Sequence, residues 1–575
     1  MSPKTINLNP LKPILEKHTP GGQSELIPAL WEAQEAFGHL SEPVVTAIGK
    51  AFHVPLSEIH GVIEFYTMLY NEPKGETVVR VCVSPTCAQV GGKEILDDLC
   101  DHYGVEPGGT TPDGKYTIEG VECLGLCDHA PAGLVGEIPV AHLEKLEISQ
   151  IANDPSPAPL GLIAGGPRLL TKRVGEVDPQ DLDGYQAQGG FQGLRKALDE
   201  MAPEEVIAAI EESGLVGRGG AAFPTGLKWK FTAGAEGEPK FIVCNADESE
   251  PGTFKDRILL EGDPYAVLEG MILAGYAVGA DHGYIYIRGE YYRARELFRE
   301  VVVRARERGF LGKDILGSGF SFDVEIHPGA GAYICGEETA LFESLEGKRG
   351  FPRLKPPFPT THGLFDKPTV INNVETLAAA AWIITHGTDA YRSQGTEDSP
   401  GTKLFCLSGD ILNPGVYEAP FGIEMGDLLE MAGGVKGELQ AALVGGAAGC
   451  FASPDQLDVP MSFEGLREAG LALGSGVIIA VSQERDLRES LMSLAHFFAH
   501  ESCGKCFPCR LGTQRQVDLL ERIFNGEGSE EDLQTLEDVG FTMTETSLCG
   551  LGKTAATAIL SAKAKWPEVF DVNGS

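Results

Sequence analysis

The stretch GLVGRGGAAFPTGLKWKF, residues 214–231, decides which α/β fold this chain can have. Gly217, Gly219 and Ala222 formally match the dinucleotide fingerprint. That fingerprint works at a turn between a strand and a helix, where glycines let the backbone approach a pyrophosphate. The segment before it, EEVIAAIEES (204–213), spaces its apolar residues as a helix does, so the required strand is missing. An ordinary Rossmann site is therefore not expected. What remains is a flexible loop with exposed backbone N–H groups and one cation, Lys228, which suits a phosphate-bearing cofactor. A plain structural turn is the competing reading.

Downstream, CNADESEPGTFKDR (244–257) continues the strand-like run KFIVCNA and sets Asn245, Asp247, Glu248 and Glu250 at its end. Such polar groups can bond a flavin edge, ribose hydroxyls or a metal, and a magnesium site is the alternative. GAGAYICGEETAL (329–341) is Gly-rich and then acidic. KPTVINNVETL (367–377) carries the amide pair Asn372 and Asn373. Amides both donate and accept, which fits a uracil-like ring edge. An ordinary turn or helix start competes for each of these last two segments.

The cysteines carry a second signal. Cys82 and Cys87 (CVSPTC) have four residues between them, and Cys123 and Cys127 (CLGLC) have three. Two loops at strand ends can bring these four thiolates together around a [2Fe–2S] group. Cys503, Cys506 and Cys509 (ESCGKCFPCR) are each two residues apart, and Cys549 (SLCGLG) follows 40 positions later. A compact triplet with a distant fourth cysteine fits a [4Fe–4S] cubane; the ferredoxin run with a nearby fourth cysteine and proline is absent. Zinc is the rival for both sets. Cys100, Cys406 and Cys450 lack partners at ligand spacing and read as small apolar residues.

With 575 residues the chain exceeds one hydrophobic core, so several domains are expected. Its formal charge of −37 argues against nucleic acid or anionic membrane as a partner and reads as a solvated surface. MSPKTINLNPLKPILEKH (1–18) has no apolar core before a cleavage site, and the longest apolar stretch, 267–280, carries Glu269 and is too short for a bilayer. No direct membrane insertion is expected. A cytoplasmic protein is, either free or on the cytoplasmic face of a membrane complex. Spaced cysteines there bind metal more often than they form disulfides.

The fold class expected is α/β multidomain. Residues 1–75 read as a helical segment, 76–152 as a small α/β unit bearing the first thiol set, and 153–167 as a Pro/Gly/Ala-rich linker. A larger α/β domain is expected over 168–401, a strand-rich stretch over 402–485, and a helical end over 486–575.

The four segments and the triplet, in this order, resemble the NADH-binding flavoprotein subunit of respiratory complex I and the diaphorase subunits of NAD-reducing hydrogenases and NAD-dependent formate dehydrogenases. Residues 20–150 separately resemble the thioredoxin-like [2Fe–2S] partner subunit, here fused to it. The resemblance implies a non-Rossmann pocket in which FMN is held by Gly217, Gly219, Lys228, Asn245, Asp247, Glu248, Tyr333, Gly336, Glu337, Glu338, Asn372, Asn373 and Thr376. NADH would lie against Phe223, Phe231 and Phe358. It implies a ubiquitin-like (SLBB-type) fold for 402–485. No catalytic side chain is implied beyond cofactor positioning, with Glu248 and Glu250 the acidic groups nearest that task and Glu250 beside the adenosine ribose. The implied partners are NADH or NAD+, a ferredoxin-like iron–sulfur subunit, and a terminal dehydrogenase, hydrogenase or quinone-reducing module. The resembling loop usually reads GRGGAGFP, whereas this chain has Ala222 in place of its last glycine.

Overall fold

A computed structural model describes residues 6–572, so the outer ends of the first and last expected segments, including the start of the stretch read for a signal peptide, lie outside it. The N-terminal apolar spacing produces the helices Leu26–Phe37 and Glu42–Phe52, which bury that stripe. They do not stand alone. Trp31 donates its indole N–H to the Gly329 carbonyl, and the Thr67 and Met68 amides donate to Gly331 and Ala330. This segment therefore buttresses the distant Gly-rich stretch 329–336.

The first sheet has β1 (Thr77–Cys82), β2 (Tyr116–Val121), β3 (Gly133–Val135) and β4 (Ile138–Val140) in the order β2-β1-β3-β4. β1 and β2 are parallel with Cys82 opposite Val121, so both cysteine-bearing loops leave the same edge. The helix Gly92–Tyr103 carries its apolar stripe to Cys100; Gly104, with φ +65°, then stops it.

The stretch read as a linker contains a short strand. β5 (Ile163–Gly165) pairs parallel with a strand of the 402–485 region and becomes the edge of its sheet. At three half-buried residues among prolines and glycines, it leaves almost no periodic signal.

The central sheet holds β6 (Phe241–Ala246), β7 (His282–Ile287), β8 (Asp323–Pro328) and β9 (Thr369–Asn373), ordered β8-β7-β6-β9 and parallel throughout. Residues 267–280 supply most of the helix Pro264–Val278, buried almost all round as a core helix is. A third sheet combines β10 (Thr402–Gly409), β11 (Gly415–Pro420), β12 (Leu439–Val444), β13 (Cys450–Ala452) and β14 (Val477–Ser482) as β13-β12-β14-β10-β11-β5. Helices Leu487–Glu501, Phe507–Phe524, Glu530–Thr546, Gly550–Thr554 and Thr557–Lys565 complete the chain.

Candidate functional site

The central sheet gathers the motifs. Parallel pairing of β6 with β9 puts Asn245 opposite Asn373, and β8 delivers the Gly-rich stretch 329–336 to the same edge. Ligands of open α/β sheets bind at this carboxyl edge of the strands. Asn245 donates its amide to the Gly336 carbonyl at 2.8 Å, closing one segment on the next.

The loop 214–224 lies over this edge, held at Gly217 and Arg218. The Gly217 amide bonds the Phe223 carbonyl at 2.9 Å, and the Arg218 amide donates to Thr376 Oγ1 at 2.9 Å. The Arg218 guanidinium donates to Tyr391 Oη (2.6 Å) and the Pro400 carbonyl (3.0 Å) and lies 4.6 Å over the Phe421 ring. Only the tip, residues 219–221, is fully exposed before Phe223. A Cβ on Gly219 would come 3.2 Å from Asn373 Cβ, so glycine permits the close approach. Ala222 has φ +52°, where an L residue costs roughly 1–2 kcal/mol.

Lys228 donates to the Ile371 carbonyl at 2.9 Å and lies 3.9 Å from Glu338; burial lowers its pKa despite that carboxylate. Asn372 accepts the Trp229 indole N–H at 2.8 Å. Asn373 caps the helix Val374–His386 through Glu375 N (3.0 Å) and donates to Asp256 at 2.7 Å. Glu337 caps Glu338–Leu345 by accepting from the Thr339 and Ala340 amides, and Lys355 bonds both Glu337 and Glu338. Burial pushes Asp247 up to about 7, against the pull of the Arg288 charge. Phe223, Phe231 and Phe358 are 42%, 50% and 56% exposed, which large apolar rings rarely are without something to cover them.

Three further residues expected at the site also spend their side chains on the protein itself. Glu248 accepts from the Asp256 and Arg257 amides (2.8 and 2.9 Å) and from Tyr291 Oη (2.9 Å). It thereby satisfies the free N–H groups at the start of the helix Lys255–Gly262, where a carboxylate is favoured. The Thr376 hydroxyl is fully buried under Arg218. Glu250 accepts from Tyr333 Oη at 2.6 Å and from the Ala448 amide at 2.8 Å, tying the pocket loop to the 402–485 region; burial pushes its carboxyl up.

Cys82, Cys87, Cys123 and Cys127 are all buried. Cys123 Sγ lies 3.6 Å from Cys127 Sγ and receives the Gly125 N–H at 3.4 Å. The Cys127 contact first, then the Arg288 charge and the Gly125 and Gly252 amides, draw the Cys123 thiol down to about 7 against burial. Water-excluded sulfurs with N–H donors and a nearby cation suit an anionic iron–sulfur group. The ligand loop is fastened from outside: Arg257 grips Asp128 with two bonds (2.7 and 2.9 Å) and donates to the Gly125 carbonyl at 3.0 Å.

The second set surrounds a recess that Ile334 and Pro352 also line. Cys506 and Cys549 stand at the starts of the helices Phe507–Phe524 and Gly550–Thr554. Burial raises Cys549 to about 11, opposed by the Leu551 and Gly552 amides. Four cysteines around one small recess fit a cubane. Ile334 places that recess against the Gly-rich segment of the first site, and the Tyr333 amide donates to Glu501 at 3.1 Å.

Residues 210–382 match the family described as Nuo51 FMN-binding domain. Residues 11–155 match the thioredoxin-like [2Fe-2S] ferredoxin, and residues 489–573 the NADH-ubiquinone oxidoreductase-F iron-sulfur binding region. The chain is 47% identical over 405 residues to an NADH-quinone oxidoreductase subunit of Aquifex aeolicus, across 70% of this chain and 93% of that one. It is 37% identical over 571 residues to NAD-reducing hydrogenase HoxS subunit alpha of Cupriavidus necator, across 97% of this chain and 93% of the relative.

The chain belongs to the NADH-binding FMN and iron–sulfur flavoprotein family.

As a fused member of that family it is mixed α/β, with thioredoxin-like, FMN-binding and C-terminal helical iron–sulfur parts, and an oxidoreductase acting on NADH with FMN, [2Fe–2S] and [4Fe–4S] groups. Zinc in place of the clusters, and a non-catalytic metal-binding scaffold in place of an enzyme, are not favoured. A solved NAD+-reducing [NiFe]-hydrogenase in the air-oxidized state superposes with a TM-score of 0.84 at 34% identity, covering 97% of this chain and 94% of that one. No helix among the described residues is long and apolar enough to cross a membrane.

Sequence reasoning missed the residues that join these parts in the flavoprotein. Lys255 contacts Asp256 (2.7 Å) and Glu375 (3.0 Å), and Glu375 also holds Lys403 of β10, a buried charge cluster behind Asn373. Arg288 and Arg257 bind carbonyls of the first thiol loop. A cavity of about 490 Å³ lies where the parts meet, lined by Arg80, Glu122, Cys123, Arg288, Tyr333 and Glu501. The available signal was position: Arg288 follows a buried strand, and Arg257 ends a segment already singled out as polar.

Proposed function

We propose that this flavoprotein is the NAD(H)-handling end of a hydrogenase-type complex and exchanges electrons with a ferredoxin-like iron–sulfur subunit. The observation that carries the reading is the carboxyl edge of the parallel sheet: all four motif segments meet there, and each thiol set packs against it through Arg288 or Ile334. The likeness over 97% of the chain to a hydrogenase subunit supports that partner over a quinone-reducing one. Bound in this cradle, FMN would supply the link between two-electron hydride chemistry with NADH and the one-electron chemistry of iron–sulfur groups.

The chain's own task is to hold and orient. Gly217, Gly219, Lys228, Asn245, Asp247, Gly336, Glu337, Glu338, Asn372 and Asn373 form the cradle. Glu248, Thr376 and Tyr333 keep it in shape through the helix cap, Arg218 and Glu250. Phe223, Phe231 and Phe358 offer ring faces to the nicotinamide and adenine. Cys82, Cys87, Cys123 and Cys127 hold the [2Fe–2S] group; Cys503, Cys506, Cys509 and Cys549 hold the [4Fe–4S] group. The second set is the exit. Three of its thiols are partly exposed, and Phe507, Leu511 and Phe541 on neighbouring helices are 66%, 49% and 69% exposed, an apolar surface for the next subunit. The units run 1–75, 76–152, 153–167, 168–401, 402–485 and 486–575, with 402–485 ubiquitin-like, in a cytoplasmic protein.

The test is Cys549→Ala. FMN content and NADH-dependent bleaching of the flavin are expected to persist, while the [4Fe–4S] EPR signal and electron delivery beyond the flavin are lost. A variant with full FMN that NADH no longer bleaches contradicts the assignment.

A further inference from the structure

Arg288 is buried between the two proposed cofactor sites and touches a backbone group of each. Its guanidinium donates to the carbonyl of Cys123 at 2.6 Å and to the carbonyl of Glu248 at 2.5 Å. Glu290 binds the same guanidinium through both oxygens, at 2.9 and 3.1 Å. Only 4% of the arginine is exposed, and it lines the cavity where the three parts of the chain meet. A structural tie between loops needs two hydrogen bonds. It does not need a permanent charge placed beside one of four converging thiols.

We propose that Arg288 is a positioning residue that sets the reduction potential of the [2Fe–2S] group and locks its ligand loop to the flavin loop. The inference rests on the reading that Cys82, Cys87, Cys123 and Cys127 hold that group. One-electron reduction adds one negative charge and breaks no bond. A fixed cation in a water-poor setting favours the more negative form, because Coulomb energy there is only weakly screened. The guanidinium reaches the ligand residue Cys123 itself, through its backbone carbonyl at 2.6 Å. Glu290, bound to the same guanidinium, moderates that charge. Serving two carbonyls with one planar fork is an arginine property that lysine does not share.

The test is an anaerobic redox titration of the FMN-loaded chain, following the [2Fe–2S] EPR signal with the [4Fe–4S] signal as internal control. Arg288→Gln should move the [2Fe–2S] potential down, by at least a tenfold change in the reduced-to-oxidised ratio at fixed potential, about 59 mV for a one-electron couple. Glu290→Gln should move it up, and Arg288→Lys should leave it at the wild-type value while slowing reduction of the cluster by NADH. The [4Fe–4S] potential should stay fixed in all three. An unshifted [2Fe–2S] potential in Arg288→Gln overturns the proposal. If that variant fails to fold, Glu290→Gln decides: a rise supports the proposal, and no rise overturns it. A wild-type chain with no [2Fe–2S] signal would overturn the ligand assignment, and this inference with it.

Discussion

Glu250 holds Tyr333 with one carboxylate oxygen and the Ala448 amide with the other, so it joins the pocket loop to the 402–485 region. On the proposed reading that Glu250 stands beside the adenosine ribose, its carboxylate accepts bonds from free hydroxyls and repels a 2′-phosphate, which carries roughly −1.5 to −2 charges at neutral pH. Glu250→Gln is therefore expected to raise the NADPH-to-NADH ratio of kcat/KM about tenfold, equivalent to about 1.4 kcal/mol. Steady-state rates with both nucleotides check this; equal losses with an unchanged ratio would reduce Glu250 to a tie between loops. At this scale the pairs Cys82/Cys87 and Cys123/Cys127 and the triplet Cys503, Cys506 and Cys509 stand out because their spacing is local. Arg288 and Arg257 do not, since their cysteine-loop partners lie 165 and 129 to 132 residues away and only tertiary packing brings them together. Ala222 stands out in the sequence as a departure, but only its φ of +52° shows what the departure costs.

Among the elements, the ligand loop 123–127 depends most on one residue. Gly125 has φ +68°, and a Cβ there would stand 2.1 Å from Tyr291 Oη, the hydroxyl that also bonds Glu248. Gly125→Ala combines left-handed strain with overpacking, each about 1–3 kcal/mol. It should abolish the [2Fe–2S] EPR signal while FMN stays bound, and an intact signal would show that the loop yields easily. The strand β6 and the helix Pro203–Glu212 were readable because a buried β-branched run and helical spacing are strong periodic signals; β8 and β9 were not singled out as strands. Nor was β5, because three half-buried residues carry no period. Its partner β11 instead secures the following segment through Glu418, whose buried carboxylate accepts from the Leu169, Leu170 and Thr171 amides.

Over the whole molecule, the sequence order of motifs pointed to the parts but not to their contact. Arg257 and Asp128 form a buried pair between the thioredoxin-like part and the FMN-binding part. Asp128→Ala leaves the arginine uncompensated at a cost of about 3–5 kcal/mol. Limited proteolysis should then cut within 153–167 much faster than in wild type, and an unchanged cleavage rate would mean that other contacts hold the parts together. The central claim is that NADH, flavin and two iron–sulfur groups form one electron path within this chain. Anaerobic purification followed by iron and flavin analysis, then NADH addition with optical and EPR detection, tests it most directly. One FMN and about six iron atoms per chain are expected, as one [2Fe–2S] and one [4Fe–4S] group, with the flavin bleached by NADH and electrons appearing on the clusters. Zinc in place of iron, or a flavin that NADH cannot bleach, would contradict it.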